Sequence, residues 1–111
     1  LALTIFLALM FGHFLADYPL QGEFLAKAKN HQNPLPGAPW YQALAAHSFI
    51  HAGVVFIITG LPLLFFAELV AHAVIDYRKC AGELTFNEDQ ALHAACKVVW
   101  TIVAVACGVV L

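Results

Sequence analysis

The chain has 111 residues, of which 62% are hydrophobic and 11% charged, with a formal net charge of −2. A water-facing domain of this size typically carries about 25% charged residues, so the composition speaks for a membrane protein and against a soluble one. The balance of charge supplies no basic face for nucleic acid, and the three cysteines (Cys80, Cys96, Cys107) form no CxxC pair, which leaves apolar packing as their expected role.

A bilayer-spanning helix needs about 20 mostly apolar residues. Residues 1–21 supply the first. They lack a basic leader and a small-residue cleavage site and run into His13 and Asp17, so a retained span is expected rather than a signal peptide. The next segment, to Ala38, is polar and broken by Asn33-Pro34 and Pro36-Gly37, which predicts a loop; within it GEFLAKAK suits a short helix along the membrane surface. His31 is expected to be a solvated residue of this loop. A second span follows at 39–59, opened by Pro39, and a third at 62–80 after the Gly60-Leu61-Pro62 turn. Asn87, with Gln90 three residues on, is expected to cap a fourth span at 88–111. The expected fold is therefore all-α: one transmembrane domain over 1–111, an up-down-up-down integral membrane four-helix bundle. Loops one and three share a side and hold Lys27, Lys29, Arg78 and Lys79, while the other side has no Lys or Arg, so loops one and three are expected to be cytoplasmic. Tyr18, Trp40, Tyr41 and Tyr77 fall near the same boundary.

The polar residues within these spans recur every fourth position. The first span carries His13, Asp17 and Gln21, and the second His47 and His51. The third carries Glu68, His72, Asp76 and Cys80, and the fourth Asp89, His93 and Lys97. A step of four keeps each set on one helical face, and the opposite faces are Leu, Phe, Val and Ile suited to lipid, so the stripes must face inward. Ionisable groups at membrane depth cost several kcal/mol each unless paired, hydrated or metal-bound. The stripes lie at the C-terminal ends of spans one and three and the N-terminal ends of spans two and four. In an antiparallel bundle those ends meet, so the groups converge on one site.

HFLADYPLQ at 13–21, His47 and His51, ELVAHAVIDYRK at 68–79 and DQALH at 89–93 together resemble a family of small bacterial and phage membrane proteins, domain-of-unknown-function family 3307. The resemblance covers nearly the whole chain. It implies a membrane location and a shared polar site, and it implies no known reaction; the expected location is the bacterial inner membrane.

Imidazole and carboxylate donors together suit a divalent metal, Zn first, with Mn or Fe as alternatives. His13, His47, His51, His72, Asp76, Asp89 and His93 are the candidate ligands. The spacing is ExxxH, which matches neither the ExxH of di-metal carboxylate bundles nor the HExxH of zinc proteases. A metal-free hydrogen-bonded network and a proton or ion relay are the alternatives. Counting inward from Gln21, Pro39 and Cys80 puts His13, His47 and His72 equally deep, about 12 Å in. A three-histidine layer is therefore expected, completed by His93 and bracketed by carboxylates. Cys80 is expected to pack rather than ligate.

Three functions suit this arrangement. One is an intramembrane metal-dependent hydrolase acting on a lipid-like or phosphorylated substrate: a metal-activated water attacks, Glu68 or Asp17 is the general base, and Lys97 is an anion clamp that otherwise pairs with a carboxylate. The second is a metal-ion or proton transporter, against which the outer half of every span is apolar. The third is a non-catalytic membrane adaptor held together by the polar network. The bilayer is the expected surrounding, and a homo-oligomer is left open.

Overall fold

A computed structural model describes residues 1–111 as five helices and no strand: α1 (Ala2–Asp17), α2 (Gly22–Ala28), α3 (Trp40–Thr59), α4 (Pro62–Cys80) and α5 (Phe86–Ala106). The four long helices pack side by side in the ring order α1, α3, α4, α5, and α2 rests against α3.

Local chemistry sets most of the boundaries. Gly60 ends α3 in the left-handed conformation (φ 70°), and its N–H donates to the Phe56 carbonyl at 2.7 Å. Glycine adopts this conformation without steric cost. Thr59 Oγ1 donates to the Val55 carbonyl and accepts from the Leu61 N–H. Pro62 then opens α4 at a position where its missing N–H costs nothing. The cap of α5 differs from the expected one. Thr85 Oγ1 accepts from the Glu88 N–H (3.1 Å) while Glu88 returns a bond to the Thr85 N–H (2.9 Å). This is a capping box two residues upstream of Asn87. At its far end α5 stops at Ala106 rather than running to Leu111.

The first helix is the main departure. It ends at Asp17, four residues before the expected Gln21, because Pro19 disfavours a helical Tyr18 and supplies no N–H. The chain then bends by 84° into α2, which forms where a short surface helix was expected. By length and composition α3 is the one continuous helix that can cross a bilayer, and α1 with α2 reaches the same measure only as a broken pair. At 16 residues α1 is about 24 Å long, and α4 and α5 carry Glu68, Asp76, Arg78, Lys79, Glu88, Asp89 and Lys97.

The interior divides into two halves. At the end of the α3–α4 turn, Ile5, Leu9, Val55, Leu64 and Ala104 form an apolar plug, supported by Ile58, Leu61, Trp100 and Val103. Gly12 sits just beyond it, where a β-carbon would fall on Val54 Cγ1, so α1 and α3 approach closely at that point. The other half, toward the α1–α3 and α4–α5 connections, is polar. Buried there are His13, His47, His51, Glu68, His72, Asp76, Asp89, His93 and Lys97, so the polar stripes do turn inward. The outward faces carry Leu3, Leu7, Phe11, Phe49, Ile57, Leu63, Phe66, Val70 and Ile102, all exposed.

Candidate metal centre

Each helix delivers its stripe to the polar half at a different level. Glu68 and Lys97 lie on the apolar plug. Glu68 Oε1 accepts from Lys97 Nζ at 2.7 Å, and Oε2 accepts from the Trp100 indole at 2.7 Å. The same carboxylate accepts from His72 Nδ1 at 3.3 Å. A bond to Nδ1 turns the opposite nitrogen of an imidazole outward, the usual way a carboxylate orients a metal-binding histidine. His72 Nε2 is indeed buried without a hydrogen-bond partner.

Four imidazoles form the next level. His72 stacks on His51 (3.7 Å between centroids) and on His93 (4.3 Å), and His13 lies 5.1 Å from His51 and 5.0 Å from His93. This corrects the expected layer of His13, His47 and His72. His51 takes the place assigned to His47, which lies toward the opening against His51 (4.7 Å) and His72 (5.0 Å). Equal depth for those three histidines would require flush helix ends. In fact Asp17, the last residue of α1, is level with His47 and His51, which shifts His13 by about one turn against α3.

Two carboxylates cover the imidazoles. Asp17 accepts from His51 Nε2 (2.9 Å) and from Gln90 Nε2 (3.0 Å), with His47 Nε2 at 3.2 Å and His13 Nε2 at 3.3 Å. Asp76 accepts from His93 Nε2 (3.0 Å) and from Lys29 Nζ (2.7 Å), with His72 Nε2 at 3.3 Å. Asp89 lies nearest the opening, its Oδ1 3.4 Å from His93 Nε2. Gln90 ties the levels together, accepting from His13 and donating to Asp17 and Asp89.

Three groups of donors are close enough to hold an ion: Asp17 with His47, His51 and His72; His13 with His72 and His93; and Asp76 with Asp89 and His93. Within each the donor atoms lie within 4.8 Å of one another. Every expected ligand falls in one of these groups, and Asp17, expected as a base, joins them. Zinc–ligand bonds of about 2.05 Å in a tetrahedron put donors about 3.4 Å apart. The 3.2 Å from Asp17 to His47 is close to that edge, while the 2.9 Å to His51 is a hydrogen-bond distance. Several donors are also buried and unpartnered: His13 Nδ1, both nitrogens of His47, His72 Nε2 and Asp89 Oδ1. An unpaired buried polar atom costs about 1–3 kcal/mol, which a bound ion would remove. The four carboxylates face two ammonium groups, Lys29 and Lys97, so the lysines alone do not balance them. The residues present fit a divalent cation.

A family described as "Protein of unknown function (DUF3307)" matches residues 5–110. The chain belongs to it. The family description assigns no activity, and neither the curated proteins nor the solved structures contain a match to the chain.

Above the carboxylates a cavity of about 380 Å³ opens toward the loop end, walled in part by Asp17, Gln21, Lys29, Asp76, Lys79 and Asp89. Lys29 was expected in a cytoplasmic loop. The bend after α1 carries it back over the site, where its side chain is mostly buried and bonded to Gln21 and Asp76. Lys29 and Trp100 join the network without a local sequence signal. Lys29 lies outside the four-residue steps, and an indole reads as an aromatic belt or core residue. Lys97, expected as an anion clamp or a carboxylate's partner, is held by Glu68 below the histidines, away from the cavity. His31 is not freely solvated: its ring stacks on Tyr77 at 3.8 Å. Cys80 lines the cavity and stands in none of the donor groups.

Proposed function

We propose that this chain is an integral membrane four-helix bundle that holds a divalent metal, Zn first, at Asp17, His47, His51 and His72, and that it acts as a metal-dependent hydrolase at the cytoplasmic face. The convergence of three imidazoles and one carboxylate beneath an open polar cavity carries this reading. The membrane placement is supported by the inverted distribution of side chains: charged and polar groups fill much of the interior while Phe and aliphatic residues coat the outside. In lipid the hydrophobic effect does not drive helices together, so close packing and interhelical polar bonds must do so, and this interior supplies both. The molecule is 45 Å along its longest axis, comparable to a bilayer of about 40–45 Å with its headgroups.

A divalent ion at this centre supplies Lewis acidity toward a carbonyl or phosphoryl oxygen. Asp17 reaches the cavity wall and is placed to ligate or to accept a proton. Glu68 and Lys97 act as positioning residues, since Glu68 orients His72 and Lys97 neutralises Glu68. A lipid-like or phosphorylated substrate suits a cavity at the bilayer surface. The apolar plug of Ile5, Leu9, Val55 and Leu64 argues against conduction through the bundle.

Metal analysis of protein purified in detergent without added metal tests the reading. At least one divalent ion per chain is expected, with occupancy falling at least about tenfold in His51→Ala. Phosphate release from an amphiphilic phosphate monoester in vesicles should follow the same pattern. Metal-free parent protein that still takes up no Zn²⁺ on titration would overturn the proposal.

A further inference from the structure

We infer that the chain has a second divalent-cation site, built from Asp76 Oδ1, Asp89 Oδ1 and His93 Nε2, which the Lys29 ammonium restrains from the other side of Asp76. These donors are separate from Asp17, His47, His51 and His72, so the inference stands whether or not that first centre holds a metal.

The geometry has three parts. His93 Nε2 is 3.0 Å from Asp76 Oδ1 and 3.4 Å from Asp89 Oδ1. Ligands about 2.1 Å from one ion stand about 3.0 Å apart at octahedral edges and about 3.4 Å apart at tetrahedral ones. With no ion the shorter contact is the hydrogen bond from His93 Nε2 to Asp76, and both spacings would also suit ligands of one cation that displaces that proton. Second, Asp89 is only 3% exposed, and its Oδ1 is buried without a hydrogen-bond partner while Oδ2 accepts from Gln90 at 3.1 Å. A carboxylate oxygen without a hydrogen bond at such depth, facing a histidine that also faces a second carboxylate, is a group that a bound ion would satisfy. Third, Asp76 and Asp89 both line the cavity, so an ion has a way in from the loop end.

Lys29 lies on the other side of Asp76. Its Nζ is 2.7 Å from Asp76 Oδ2 and so supplies one positive charge to a pair of buried carboxylates. That charge opposes a divalent ion on the neighbouring oxygen, and a unit charge a few ångströms away is strongly felt in a partly buried site. Lys29 caps the C-terminal end of α2, which is joined to α1 through a bend of 84°, so the brake is carried at the end of a short element outside the ring of long helices.

The test is calorimetric titration of the full chain in detergent with Zn²⁺ and, separately, Mn²⁺. For the parent, two ions per chain are expected, the weaker at the second site. Asp89→Asn should remove the weaker ion and keep the stronger, while Lys29→Met should keep both and tighten the weaker by about tenfold or more. His51→Ala should remove the stronger ion alone. Parent protein that binds one ion, lost in His51→Ala but kept in Asp89→Asn, would overturn the second site and leave the first. One ion lost in Asp89→Asn but kept in His51→Ala would support the second site and remove the first. A weaker ion indifferent to both Asp89→Asn and Lys29→Met would also overturn the inference.

Discussion

Lys97 Nζ lies 2.7 Å from Glu68 Oε1, and each side chain is only 1% exposed. An ion pair so deep must be complete, because one partner left alone is an uncompensated charge in a low-dielectric interior. Lys97→Met should therefore destabilise the chain by about 3–5 kcal/mol. The double variant Glu68→Gln with Lys97→Met should lose less than Lys97→Met alone, since the amide still accepts from Trp100 without leaving a charge. Thermal unfolding of the three proteins in one detergent checks this, and a double variant less stable than Lys97→Met would contradict it.

Gly12 is fixed by contact rather than by backbone conformation. A β-carbon there would overlap Val54 Cγ1. Gly12→Ala is expected to push α1 and α3 apart at a cost of about 1–3 kcal/mol. Trimming the obstacle with Val54→Ala should recover much of that loss. Unfolding midpoints of the single and paired variants measure it.

The capping box of α5 lies at the surface, away from the donors. Thr85→Ala should cost about 1 kcal/mol through the lost bond to the Glu88 N–H. It should leave metal content unchanged, so the paired measurement of stability and bound metal separates helix capping from site assembly.

The proposed orientation can be read by labelling in intact cells. With Cys80, Cys96 and Cys107 replaced by Ser, a cysteine at Glu83 in the α4–α5 connection should resist an impermeant thiol reagent. One at Val110 should react. The reverse pattern would place the metal cavity on the outside. Lys29 is unsuitable as the probe position because its side chain is mostly buried.

How far the sequence reaches is best seen in the histidines. The four-residue steps of His13 and Asp17, of Glu68, His72 and Asp76, and of Asp89, His93 and Lys97 fix the face on which each side chain stands, because helical period is a local property. The faces opposite hold Leu3, Phe11, Phe66 and Ile102, so the direction of burial follows too. These residues were legible as one interior cluster for that reason. The level of each residue along the bundle was not. Axial register depends on where helices end and how tightly they approach. Pro19 stops α1 at Asp17, and Gly12 against Val54 marks where α1 and α3 meet most closely. Those long-range contacts, and not the spacing, set His51 rather than His47 beside His13. The same bend returned Lys29 to Asp76 across 47 residues of chain, and the packing of α4 on α5 brought Trp100 to Glu68. The sequence by itself determined which faces turn inward. Only the tertiary structure decided which donors share a level, because that depends on rigid-body translation between helices, which no periodicity encodes.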